Sequence, residues 1–130
     1  MTAVWVILGA LLGAGFFRVA ASRPEERDRW LALGLFVAAQ VYVIFGFMAG
    51  QDLWLLIELL GVPVFAAFAW FGLMRDLRIL AVGWMLHTLW DAGLHLAGGG
   101  ALVAPRWYVL ACLGFDLAVG VAIWRAWRDG

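Results

Sequence analysis

A chain of 130 residues that is 66% hydrophobic and only 14% charged departs from soluble domains, which carry roughly 45–50% apolar and about 25% charged residues. So short a chain cannot enclose that much apolar surface in one core. It reads as an all-α, polytopic, multi-pass protein of the cell membrane, with the lipid bilayer as its solvent. Formal net charge is +0, every basic residue is arginine and no basic run occurs, which excludes nucleic acid as a partner. The single cysteine, Cys112, excludes an internal disulfide and a cysteine-based metal knuckle, and reads as a small core residue.

A spanning helix needs about 20 mostly apolar residues, and five such runs are predicted as one bundle. They cover about Thr2–Ala21, Arg29–Gly50, Leu53–Met74, Leu77–Ala97 and Pro105–Trp127. The first lacks the basic start of a signal peptide, and Arg18 stands just before the small residues Ala20-Ala21-Ser22. It therefore reads as a retained span that also serves as the targeting signal. The loop Ser22–Asp28 is the one strongly charged segment, and Pro24 with Glu25 and Glu26 suits a helix start. Asp52 is the expected N-cap of the third span. Arg75-Asp76 joins the third and fourth, Gly98-Gly99-Gly100 ends the fourth, and Pro105 opens the fifth.

Short connections make neighbouring spans antiparallel. Arg18, Arg23, Arg27, Arg29, Arg75, Arg78, Arg125 and Arg128 then share one side, against Arg106 alone on the other. The positive-inside rule places the N-terminus outside and the C-terminus in the cytoplasm. Trp5, Trp54, Trp107 and Tyr108 suit an outer aromatic belt; Trp30, Trp124 and Trp127 suit an inner one. Gly9-x-x-x-Gly13 and Gly46-x-x-x-Gly50 permit close helix packing. Pro63 is expected to kink the third span.

The fourth span carries His87, Asp91 and His95 at four-residue intervals. On an α-helix such positions are offset by about 40° around the axis and about 6 Å along it, which makes one polar stripe. Gln40, Tyr42, Glu58 and Asp116 are the other polar residues well inside spans. An acidic side chain at the bilayer centre costs at least about 2.5–3.5 kcal/mol, so a functional site is the default reading. At a rise of about 1.5 Å per residue, His95, Glu58 and Asp91 lie about 3, 8 and 9 Å from the outer helix ends. His87, Gln40 and Asp116 lie about 15–17 Å in. Two layers result, as a shared pocket in the outer half of the bundle requires.

Three chemistries fit these layers. Imidazole and carboxylate ligands among His87, Asp91, His95, Glu58 and Asp116 suit divalent zinc, iron or manganese. The histidines are about 12 Å apart along the axis, so either two ions are bridged by Asp91 or one ion is held by some of the five and supported by the others. Metal-free acid–base catalysis or proton relay would use Asp91, Glu58 and His87. Cofactor ligation would set a histidine facing lipid or a neighbouring subunit against haem or a pigment. The structural alternative is helix glue made of His–carboxylate hydrogen bonds. Trp84 and Trp90 read as packing residues, Thr88 points away from the stripe, and no serine or threonine beside a base suggests a covalent nucleophile.

Gly83-Trp84-x-Leu86-His87-x-x-Trp90-Asp91-x-x-x-His95, followed by Phe115-Asp116-x-x-x-Gly120-x-x-x-Trp124, resembles a small integral-membrane family of unknown function. Its pattern is His-x-x-Trp-Asp, then histidine, then an aspartate on the last helix. The resemblance covers about the last third of the chain. The family pattern often has two adjacent histidines where this chain has Leu94-His95, so a ligand from the first would be absent here. The resemblance supports the choice of residues and implies no activity. Five-span proteins of the tryptophan-rich sensory type share only the helix count.

The residues together lead to an expected intramembrane metal-dependent or acid–base enzyme acting on a lipid-phase or interfacial substrate, hydrolysis and isomerisation both being open. Asp91 would be the central ligand or base, with Gln40 as a hydrogen-bonding support. The alternatives are a non-enzymatic subunit of a larger membrane complex, ligating haem or a pigment, and a small proton-coupled transporter. A homo-oligomer or a larger complex is the expected assembly.

Overall fold

The computed structural model describes residues 1–97 and 103–130, and every element among them is helical. Helix α1 spans Thr2–Ala21, α2 Arg27–Met48, α3 Asp52–Met74, α4 Leu77–Asp91 and α5 Arg106–Asp129. A π-helical segment, Ala92–Ala97, continues α4. The expected stop at Gly98-Gly99-Gly100 lies outside the described residues. Helices are the outcome that runs of Leu, Ala, Val and Phe must give in lipid, where every backbone polar group has to be satisfied within its own segment. Four helices, α1, α2, α3 and α5, are long and apolar enough to cross a membrane. Helix α4 has 15 residues before the π segment begins.

Burial is inverted relative to a soluble domain. Leu12 and Leu89 are 66% and 67% exposed, whereas Glu58, His87, Asp91, His95 and Asp116 are all buried. An apolar exterior around a polar interior is what a hydrocarbon solvent selects. The apolar core gathers Leu31 and Leu35 of α2, Leu80 and Trp84 of α4, and Val119 and Ile123 of α5. The buried Trp84 indole donates to the Leu31 carbonyl at 3.1 Å, which satisfies its one polar atom.

Details at the helix ends differ from the sequence expectation. Pro24 does not open α2; it sits in a turn closed by the Glu26 amide donating to the Arg23 carbonyl at 2.9 Å. The helix starts at Arg27, and the Trp30 indole donates back to Glu26 at 3.2 Å. Asp52 is not a cap either. Gln51 holds that position without a side-chain bond, and Asp52 lies in the first turn, where its charge meets the helix dipole. Asp76 is the one that caps, its Oδ1 accepting from the Arg78 amide at 2.8 Å. Hydrogen bonds from Arg78 hold the Asp76 carboxyl below the usual carboxylate range. The Arg78 guanidinium lies 4.5 Å from the Trp127 ring centroid, tying the start of α4 to the end of α5.

Helices α1 and α5 run side by side and in parallel, with the most extensive contact in the bundle. A Cβ on Gly9 would collide with the Ala111 carbonyl, and one on Gly114 with the Val6 carbonyl. A Cβ on Gly13 would stand 2.6 Å from the Phe115 oxygen. The first small-residue motif therefore brings two backbones together, as its spacing suggested. The second divides its labour. Gly46 packs on the Leu55 backbone of α3, whereas Gly50 adopts φ of 65° in the α2–α3 turn. Since α1 leans on α5, it makes little contact with α2, and a furrow opens between them.

Candidate functional site

Among the described residues, the buried polar and charged side chains are Glu58, His87, Asp91, His95 and Asp116. These are the five that the sequence nominated. They form two groups, and the division departs from the two depth layers at Asp91, which joins the deeper residues His87 and Asp116 rather than Glu58 and His95.

The deeper group joins α4 to α5. His87 Nδ1 stands 2.7 Å from Asp116 Oδ2 and 3.4 Å from Asp91 Oδ2. The first is hydrogen-bond distance, and the second is longer than a charge-assisted bond. One ligand atom from each of His87, Asp91 and Asp116 lies within 4.8 Å of the others, and all three residues are buried. The Phe65 ring meets the His87 imidazole edge-on at 4.7 Å and fixes its plane.

The outer group joins the π segment to α3. His95 Nε2 stands 2.6 Å from Glu58 Oε1, and the Trp90 indole donates to Glu58 Oε2 at 3.2 Å. Each Glu58 oxygen therefore has a partner. The i→i+5 repeat of the π segment alters the angular spacing beyond Asp91, so the stripe does not continue as drawn on an ideal α-helix. His87 reaches α5, and His95 reaches α3. π-turns of this kind recur at functional sites.

Asp91 lies between the groups and differs from its neighbours. It is 0% exposed, and neither carboxylate oxygen has a hydrogen-bond partner. The Tyr42 hydroxyl is likewise buried without one, in the same space and within electrostatic range of Asp91. An unsatisfied buried polar group costs about 1–3 kcal/mol, and a charged one more. Among the described residues, Asp91 and Tyr42 are the buried side chains left with unpartnered polar atoms.

Glu58 and His95 pair with each other and do not join the three-residue ligand group. Both imidazoles are buried, and neither faces lipid. Gln40 is only half-buried and makes no side-chain hydrogen bond to the site among the described residues. Tyr42 takes the place expected of it, two positions along α2. Its ring stacks on His95 with centroids 4.4 Å apart and planes at 13°, and lies 6.3 Å from His87. Trp90 serves as more than packing, since its indole orients Glu58. The signal for Trp90 was available, since an indole inside an apolar span needs a polar partner. Cys112 is half-buried and, with Tyr108 and Asp116 at four-residue intervals on α5, lines a cavity beside the site.

The His-x-x-Trp-Asp arrangement thus spans both groups, with Trp90 on Glu58 and Asp91 against His87. A model of a family of unknown function, DUF6010, matches residues 4–129. The chain belongs to that family. The match reaches into all five helices, well beyond the last third of the chain on which the resemblance rests. No curated protein and no solved structure matches it.

Proposed function

We propose that the chain is a five-span protein of the cell membrane that holds a divalent cation on His87, Asp91 and Asp116. We read it as a metal-dependent enzyme acting on a lipid-phase or interfacial substrate. The observation that carries this reading is the Asp91 carboxylate, fully buried and without a hydrogen-bond partner. Its nearest basic atom is His87 Nδ1 at 3.4 Å, with Asp116 in the same cluster.

Charge and geometry support a cation there. One neutral imidazole and two carboxylates neutralise a divalent ion, which removes the cost of isolated charge in hydrocarbon. Zinc bonds of about 2.0–2.2 Å place tetrahedral ligand atoms about 3.3 Å apart. The His87–Asp91 distance of 3.4 Å fits that spacing, while the 2.7 Å His87–Asp116 contact would have to open by roughly half an ångström or slightly more. Three protein ligands leave a fourth position for water or substrate, as catalytic zinc sites do. The donor set of one nitrogen and two carboxylate oxygens suits zinc, iron or manganese. The Glu58–His95 pair, stacked on Tyr42, would position the outer side of the pocket and exchange protons with it.

Purification in detergent without chelator, followed by metal analysis by mass spectrometry, tests the reading. About one divalent ion per chain is expected, and none in Asp91→Ala. A metal-free wild-type chain that gains no ion when zinc, iron or manganese is supplied would remove the metal and leave acid–base chemistry at the same residues.

The proposal includes a direction. With α4 and its π continuation as the fourth of five spans, eight of the nine arginines lie at one end of the bundle. That end would be cytoplasmic and the N-terminus outside. A cysteine placed at Gln51 is expected to react with an impermeant maleimide on intact cells, and one at Arg75 only after lysis. The reverse pattern would overturn the orientation.

A further inference from the structure

The furrow between α1 and α2 is floored by α5. Its cavity measures about 400 Å³ and is walled by Leu12 and Phe16 of α1, Val37 and Val41 of α2, and Trp107 and Asp116 of α5 among others. Leu12, Val37 and Trp107 are at least half exposed, so the cavity opens sideways through the apolar surface of the bundle. Its polar wall is the α5 stripe of Tyr108, Cys112 and Asp116. Asp116 belongs to two places at once: it lines this cavity, and its Oδ2 meets His87 at 2.7 Å. Whatever occupies the furrow abuts the His87–Asp91–Asp116 group.

We propose that the furrow binds a neutral, single-chain amphiphile bearing a hydroxyl group, such as a long-chain alcohol. The chain lies between α1 and α2, and the hydroxyl donates to the Asp116 carboxylate. The inference rests on the site reading given above and names its substrate class. Three observations select that class. The volume falls at the low end of the roughly 300–1,000 Å³ typical of small-molecule pockets, which suits one chain rather than two. Among the described residues no arginine, lysine or histidine lines the cavity, so a carboxylate or phosphate head would face Asp116 with no compensating cation. An ammonium head would have to shed its water about 15 Å below the outer end of α5, at a cost that a hydroxyl avoids. A hydroxyl also matches the available acceptor, since a carboxylate has lone pairs to spare beyond the one His87 occupies.

The test uses the full chain in lipid nanodiscs with three photoreactive diazirine probes of equal chain length: hexadecanol, palmitic acid and hexadecylamine. The alcohol probe is expected to modify the α1, α2 and α5 walls saturably. It should exceed each of the others by about tenfold, the ratio that one hydrogen bond to a charged acceptor gives. Val37→Trp and Val41→Trp, each of which fills the furrow from its rim, are expected to cut labelling at least fivefold while bound metal is retained. Equal labelling by the three probes, or preference for the acid or the amine, would overturn the proposal. The site reading fails separately. Alcohol labelling that persists in a chain binding no metal would sink the metal centre and leave the furrow standing. Retained metal with no preference for the alcohol would do the opposite.

Discussion

Replacing Glu58 with leucine is expected to destabilise the bundle by about 2–6 kcal/mol, since each of the two buried donors it leaves unpaired costs about 1–3 kcal/mol. Interhelical hydrogen bonds in membranes average only about 0.6 kcal/mol, so this is a large effect for one side chain. The reason lies in the number of groups that Glu58 serves. Its two oxygens accept from His95 at 2.6 Å and from Trp90 at 3.2 Å. Leucine leaves both donors facing hydrocarbon at the α3–α4 contact. The double variant Glu58→Leu/His95→Leu should recover a large share of the loss, because replacing both partners by apolar groups removes the polar group that the single variant strands. Equilibrium unfolding in detergent micelles reads the difference. A double variant as unstable as the single one would mean that the pair contributes through shape rather than through pairing.

Much of the fold was legible because lipid simplifies the reading. Backbone satisfaction forces helices, so run length and the turn residues set the boundaries, and α1 and α3 begin and end within a residue of expectation. The buried polar set was legible for the same reason. An ionisable residue far from a helix end has nowhere inexpensive to go except inward. Depth along the helix axis paired Glu58 with His95 and His87 with Asp116, but it set Asp91 with the outer residues, whereas Asp91 joins His87 and Asp116.

What depth could not supply was direction around the axis. An ideal α-helix puts His87, Asp91 and His95 on one stripe, and the π segment after Asp91 breaks that geometry. Gln40 and Tyr42 sit two residues apart on α2, and only the rotation of that helix decides that Tyr42 turns inward. The caps were misplaced on a smaller scale. Pro24 and Asp52 each carry a helix-start preference, but the chain uses them one to three residues away from where the preference is strongest. At both starts the residue in the cap position, Glu26 or Gln51, makes no side-chain capping bond.

The central claim is that Asp91 is kept in the bundle for a cation rather than for stability. Asp91→Asn removes the charge at almost constant volume. It is expected to stabilise the chelator-treated protein, by as much as the about 2.5–3.5 kcal/mol that an acidic side chain costs at the centre of a span. In the wild type, a metal present at a hundred times its dissociation constant should return about 2.7 kcal/mol through linkage. The variant should return none. The measurement is thermal unfolding in detergent for both proteins, with chelator and with added zinc or manganese. The account predicts that Asp91→Asn melts higher than wild type with chelator and fails to respond to metal, whereas wild type rises. A variant that melts lower than wild type with chelator, or two proteins that shift equally with metal, would contradict it.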